Sequence, residues 1–243
     1  MKREVEYDVA VVGGGVAGMA ASLFTARSEL RTVIFNRGTS ILNRNAHLEN
    51  YPGFPRGINP RLFLEMFEEQ VRCSGVEWCQ EKVHEIENDD PLALRLHGRK
   101  TRVRRVVLAS WSDLTYVGED QLDWYEEGSK CFLVTDEAGR TSHPGIYATG
   151  RLAGVRHQTV VAAGDGADVG LSVVEDLRPE FYHDWVVPEG YFTGRGRSVP
   201  EGCEEISGEE RKRRDRKARK ALRGYLDQAD PDDPEPHPSQ NEN

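Results

Sequence analysis

The residues best suited to chemistry stand near the start of the chain. Gly13, Gly15 and Gly18 fall in the spacing G-x-G-x-x-G, directly after the apolar run of residues 8–12 (DVAVV) and before a helical pattern carried by Met19, Ala20, Leu23 and Phe24. In that setting the first glycine permits a tight turn, the second lets the main chain approach a pyrophosphate, and the third lets helix and strand pack closely. The string therefore reads as a dinucleotide-binding loop and not as a bare packing turn. The second strand of such a unit normally ends in an acid that bonds the adenosine ribose, but residues 32–35 (TVIF) lead into Asn36 and Arg37. Asn36 can still bond a ribose, whereas Arg37 suits a 2′-phosphate. On the fingerprint alone, NADP and FAD both remain open.

Other reactive groups are scattered. Cys73, Cys79, Cys131 and Cys203 form neither a C-x-x-C pair nor a zinc spacing, which argues against a disulfide scaffold, a dithiol of near neighbours and a zinc site. Cys131 reads as a small apolar residue, and His47, His143 and His157 stand singly, without metal-ligand spacing. Asp165 and Asp168 read as solvent-facing or close to a helix N-terminus. Residues 211–223 hold nine basic residues and one acid, read as a solvated helix face in preference to a partner-binding arm.

The composition bounds what these residues can do. With 243 residues, 37% hydrophobic and 30% charged, the chain can bury a sizeable core. Its 41 acidic against 32 basic residues give a net charge of -9, which argues against a surface built for nucleic acid. Only 7 of those 32 basic residues are Lys, the rest Arg. A halophilic, salt-rich cytoplasm favours that pattern, and so does a GC-rich genome. No window approaches the roughly 18 apolar residues of a membrane helix, and MKREVEYD runs into a strand-like segment, so no membrane association is expected and the location expected is cytoplasmic.

The elements that must carry the loop alternate between α and β. Strand, glycine turn, helix and the β-branched run of residues 32–35 complete a βαβ unit. Asn59 followed by Pro60 opens a helix whose apolar face is Leu62, Phe63, Met66, Phe67 and Val71. Residues 76–86, 92–96 and 102–109 alternate as strands, the last two joined by a hairpin at His97-Gly98-Arg99, and predict a small antiparallel sheet. Residues 144–177 return to strand, glycine turn and helix. Residues 181–203 read as an irregular aromatic extension, Ser207 and Glu210 as the capping box of a helix over 207–226, and residues 227–243 as a disordered acidic tail.

Two further stretches narrow the cofactor. His47-Leu48-Glu49-Asn50-Tyr51-Pro52-Gly53-Phe54-Pro55 contains E-N-Y-P-G-F-P, and residues 145–150 read G-I-Y-A-T-G, followed by His157-Gln158-Thr159 and AAGDGA. The first resembles the E-N-Y-P-G-F-P stretch of low-molecular-weight thioredoxin reductases, and the second their G-I-F-A-A-G-D motif and R-Q-A. The resemblance covers about residues 6–112 and 140–178, both halves of a split FAD domain. It implies Gly13, Gly15 and Gly18 at the pyrophosphate, Asn36 at the adenosine ribose and the main chain of Val83 near the adenine. It further implies Asn50 beside the isoalloxazine, Gly150 near the ribityl phosphate, and Gln158 and Thr159 at the flavin's pyrimidine edge.

This chain also departs from the resembled pattern. The family's Asp after Ala-Gly is Arg151, the Arg of R-Q is His157, the usual acid is Asn36, and a Gly-Gly-Gln stretch is replaced by residues 38–45. The family's inserted NADPH domain has no room in the 35 residues of 110–144, because one βαβ unit alone takes about 30. Its C-x-x-C is missing as well. The expectation is thus an α/β, Rossmann-like FAD-binding domain over residues 1–180, with a central parallel sheet, helices and a small antiparallel sheet, then a C-terminal extension over 181–226. Its function would be that of an FAD-dependent oxidoreductase fed by a redox partner protein or a diffusible reductant, not that of a dithiol reductase. A non-catalytic holder of FAD or NADP(H) is the alternative. A homodimer is expected, its second subunit or the aromatic arm covering the exposed flavin face.

Overall fold

The computed structural model describes residues 5–111, 113–118 and 121–228. The chain falls into two compact units, Met1–Val174 and Glu175–Asn243.

In the first unit, β1 (Tyr7–Val12), α1 (Val16–Arg27) and β2 (Thr32–Phe35) form the expected βαβ unit. Val9, Ala10 and Val11 have no exposed surface, as a strand covered on both faces requires. Next come α2 (Pro60–Cys73), β3 (Glu77–Cys79), β4 (Glu85–Glu87), β5 (Leu92–Arg95) and the long β6 (Lys100–Leu108). A two-stranded ribbon of β7 (Trp124–Glu127) and β8 (Lys130–Leu133) precedes β9 (Ile146–Ala148) and α3 (Thr159–Leu177). One sheet of seven strands runs β3-β2-β1-β6-β5-β4, with β9 also paired to β6.

The nine-residue β6 explains how the antiparallel strands attach. One edge pairs parallel with β1; the other is shared, residues 100–103 pairing antiparallel with β5 and residues 106–108 parallel with β9. The antiparallel strands predicted over 76–109 are therefore a wing of the main sheet. Residues 77–79 of that stretch leave it and lie parallel to β2 at the opposite edge. The separate antiparallel pair is β7–β8, within the stretch expected only as a short connection.

Two clusters fix the loops around the carboxyl ends of the strands. Ala10, Val12, Val33, Phe35, Val106, Leu108, Ile146 and Ala148 form a continuous core with Val83, Tyr116, Leu122 and Leu133. Val16, Leu42, Leu48, Ile58 and Phe63 form another, against which Tyr51 and Phe54 pack. The third glycine of the fingerprint serves contact between elements: a Cβ on Gly18 would lie 2.0 Å from the Gly13 carbonyl oxygen. Gly166 does the same for α3, where a Cβ would meet the Ala17 oxygen of α1 at 2.1 Å.

In the second unit, β10 (Trp185–Pro188) and β11 (Cys203–Ile206) pair in parallel, giving regular structure to the stretch expected to be irregular. The loop between them winds onto one carboxylate: Glu205 accepts from the N–H groups of Gly190 at 3.0 Å, Phe192 at 2.5 Å and Thr193 at 3.0 Å, and from the Thr193 hydroxyl at 2.7 Å. These donors, the Thr193 amide foremost, pull the Glu205 carboxyl down to about 2. The Glu210 amide donates to the Ser207 hydroxyl at 3.2 Å, capping α4 (Gly208–Gln228) where the sequence predicts. Part of the helix's positive charge is answered locally, because Arg213 and Arg214 bind Glu210 at 2.6 and 2.8 Å and Arg214 also binds Glu204 at 2.6 Å. Residues 229–243 of the acidic tail lie outside the described residues. Among the described residues, no helix is long and apolar enough to cross a membrane.

Candidate cofactor cleft

A cleft of about 720 Å³ opens at the carboxyl ends of β1, β2, β6 and β9, in the upper part of the range for small-molecule sites. Gly13 makes the turn into it with φ +112°, in contact with Ala109 at the end of β6, where a Cβ would meet the Ala109 oxygen at 2.5 Å. A Cβ on Gly15 meets nothing within 4 Å, so the main chain there is open to a ligand. Gly15 caps α1 without a side-chain hydrogen bond, and the first turn holds no acid, so its first N–H groups and positive dipole end face the cleft. Five cations (Arg37, Arg44, Lys82, Arg151 and Arg156) line the cleft against two acids, Glu81 and Asp113. Glu81 is held below the usual carboxylate range, first by its hydrogen bond with Arg99 at 2.7 Å. The balance favours an anionic ligand.

The two distant sequence segments meet here. Tyr51 and Phe54 pack on Phe63 of α2 with ring centroids 4.8 and 6.1 Å apart, and Leu48 and Ile58 exchange main-chain hydrogen bonds at 3.0 Å. That anchoring aims Asn50 across the cleft, where its amide donates to the Gln158 side-chain oxygen at 2.8 Å. Behind Gln158 stands the turn after β9. Gly150 has φ +67°, and its N–H donates to the Asp165 carboxylate at 2.7 Å while the Thr149 hydroxyl donates to the same oxygen at 2.5 Å. Asp165, expected as solvent-facing or close to a helix N-terminus, lies in the early part of α3 with its carboxylate engaged by these two donors. Nearly two helical turns into α3, it ties the helix to the turn that forms the cleft wall.

Gly13, Gly15, Asn36, Arg37, Asn50, Val83, Gly150, Arg151, His157, Gln158 and Thr159 all line this one cleft. Gly18, expected at the pyrophosphate, lies instead beneath the loop, in van der Waals contact with Gly13. Asn36, expected at the adenosine ribose, turns its side chain toward the glycine loop: its oxygen accepts from the Gly14 N–H at 3.1 Å and its amide donates to the Gly38 carbonyl at 3.0 Å. One N–H and one lone pair are left for a ribose. Arg151 lies with its guanidinium 4.7 Å over the Phe132 ring, and its buried Nε has no protein partner, a donor available to an anion. Trp111, Arg44 and Lys82 line the cleft without having been singled out by sequence spacing, and the tie that Asp165 makes to the Gly150 turn was not foreseen. Among the described residues, no group of three or more His, Cys, Asp or Glu could hold a metal, and the four cysteines are free.

Residues 7–110 match the pyridine nucleotide-disulphide oxidoreductase family. Over that stretch the chain is similar to thioredoxin reductases. It is 30% identical to the thioredoxin reductase of Bacillus subtilis over 121 residues, 49% of this chain and 38% of that protein. To the bifunctional thioredoxin reductase/thioredoxin of Mycobacterium leprae it is 34% identical over 128 residues, 49% of this chain and 28% of that one. The chain thus spans less than two fifths of the curated relatives it matches. The thioredoxin reductase structure from Gloeobacter violaceus superposes with TM-score 0.62 at 19% identity, covering 73% of this chain and 97% of that one. The Giardia duodenalis thioredoxin reductase gives 0.67 at 15%, covering 72% and 99%. At such identities the likeness is one of fold. FAD is the cofactor of this thioredoxin reductase-like group, and the open glycine loop, the uncovered helix end and the unpartnered Arg151 donor fit its pyrophosphate and elongated shape.

Proposed function

We propose that the first unit binds FAD and works as an electron-transfer flavoprotein domain, taking electrons from a partner protein or a diffusible reductant. Bound FAD supplies one- and two-electron redox chemistry, while the chain supplies binding, orientation and electrostatics. The single observation that carries this reading is the Asn50–Gln158 hydrogen bond, which joins segments 108 residues apart across the cleft that also holds the glycine loop. In that arrangement the α1 N-terminus and Arg151 take the pyrophosphate, Asn36 offers its free N–H and lone pair to the ribose, and the Asn50–Gln158 pair borders the ring end. Disulfide reduction through a C-x-x-C dithiol is not part of the proposal, since the sequence contains no such pair.

The test is anaerobic reduction of the FAD-loaded protein by dithionite and by NAD(P)H, followed by air. Reversible bleaching and recovery of the flavin absorbance supports the reading; bound flavin that resists reduction overturns it in favour of a non-catalytic holder. Arg37 and Arg44 at the β2 end of the cleft favour NADP(H) as the ligand of such a holder. Tight NADPH binding by a protein that ignores FAD would establish that second reading.

A further inference from the structure

Trp111 stands out among the cleft residues. It follows β6 at the point where the chain enters the short connection, and its φ is +63°, a backbone region that bulky L-residues avoid unless their surroundings hold them there. Two side chains hold the indole. His157, from the turn before α3, meets it edge to face at 4.8 Å and 73°, and the Lys130 ammonium lies over its ring at 5.5 Å. Lys130 and Phe132 alternate on β8 and so project from one face of the ribbon; the first holds Trp111 and the second holds Arg151. The β7–β8 ribbon thereby supports two residues of the cleft wall.

The position of the indole along the cleft follows from its neighbours. A dinucleotide seated on Gly13–Gly15 extends its adenosine toward Asn36 and its other arm toward the Asn50–Gln158 pair. Trp111 contacts His157, the residue beside Gln158, and lines the same cleft.

We propose that Trp111 is the aromatic platform on which the isoalloxazine ring of bound FAD stacks, held in place by His157 and by Lys130 of the ribbon. The proposal rests on the reading of the cleft as an FAD site and assigns the ring end of that site. Stacking against an indole adds affinity for a flat ring and quenches flavin emission, whereas it adds nothing for a ligand without that ring.

The experiment is a fluorescence titration of the full-length apoprotein with FAD, with ADP competing, for the wild type, Trp111→Gly and Trp111→Phe. Glycine adopts a positive φ freely, so the truncation leaves the main chain in place, and ADP affinity reports whether the rest of the cleft is intact. The wild type is expected to bind FAD with its emission quenched. Trp111→Gly should bind FAD on the order of tenfold more weakly, with the bound flavin bright and ADP affinity unchanged, and Trp111→Phe should fall between. Equal dark, tight FAD binding in wild type and Trp111→Gly overturns the proposal while leaving the FAD site standing. A parallel loss for FAD and ADP also overturns it, by moving the indole's role to the adenosine end or to the fold. Wild-type protein that binds ADP but not FAD overturns both the platform and the FAD reading.

Discussion

Replacing Asp165 should damage the fold and the cleft together. Its carboxylate is the acceptor for two donors, the Thr149 hydroxyl and the Gly150 N–H, and both of those residues are buried. Asp165→Ala leaves both donors without a partner. An unsatisfied buried donor costs about 1–3 kcal/mol, and the two share one acceptor, so the losses do not add fully and about 2–4 kcal/mol is expected. Set against a total stability of roughly 5–15 kcal/mol, that is a large fraction. Asp165→Asn can place its amide oxygen where the carboxylate oxygen stood; it loses the charge but keeps the acceptor, for about 1 kcal/mol. The assay is urea unfolding with the slope checked for constancy, so that a changed midpoint reads as changed stability. FAD affinity measured on the same variants should fall for Asp165→Ala, because Gly150 with its φ of +67° forms part of the cleft wall. An alanine variant within about 0.5 kcal/mol of wild type, with unchanged FAD affinity, would refute the reasoning, since it would mean that neither donor depends on Asp165.

Glycines of equal conformational freedom should behave oppositely. Gly166→Ala places a methyl 2.1 Å from the Ala17 carbonyl oxygen, which cannot retreat, so despite alanine's better helix propensity it should cost about 1–3 kcal/mol by thermal or urea unfolding. Gly15→Ala meets open space at φ -77°, so it should unfold within about 1 kcal/mol of wild type yet lose most FAD affinity in a titration; normal FAD binding there would contradict the loop's role. Glu205, held at about 2 in the folded protein by its amide donors against an ordinary value of 4.5, stabilises its loop above 4.5, and that contribution is lost as pH falls toward about 2. The Gly190, Phe192 and Thr193 amide resonances should therefore titrate with a midpoint near about 2, and a midpoint near 4.5 would remove the argument. Asn50→Ala should lower stability by only about 0.5–1.5 kcal/mol, the net worth of one hydrogen bond, while weakening FAD binding more than ADP binding.

Much of this site is legible in the sequence because local chemistry and spacing encode it. DVAVV followed by G-x-G-x-x-G specifies a buried strand, a turn and a helix whose first N–H groups are uncovered, and Asn59-Pro60 specifies where α2 begins. What sequence spacing left out depends on contacts between distant elements. Asp165 looks like any acid near the start of a helix until the turn after β9 brings the Gly150 N–H to within 2.7 Å of it. Gly166 looks like a helix-weakening residue, and only the close approach of α1 explains it. The sharing of one edge of β6 between β5 and β9 is a matter of register along a nine-residue strand, which periodicity alone does not set. Residues 110–144, too short for a nucleotide domain, gave no periodic signal for the ribbon that supports Trp111 and Arg151, because four-residue strands carry too few alternations to show one.

The central claim is that the glycine loop after β1 and the turn after β9 hold one FAD between them. The measurement closest to it is the visible absorption spectrum of the purified protein titrated with FAD. The account predicts a yellow protein that saturates at one flavin per chain, with absorption bands perturbed from those of free flavin. A colourless protein whose spectrum in the presence of FAD is the simple sum of its parts would contradict it.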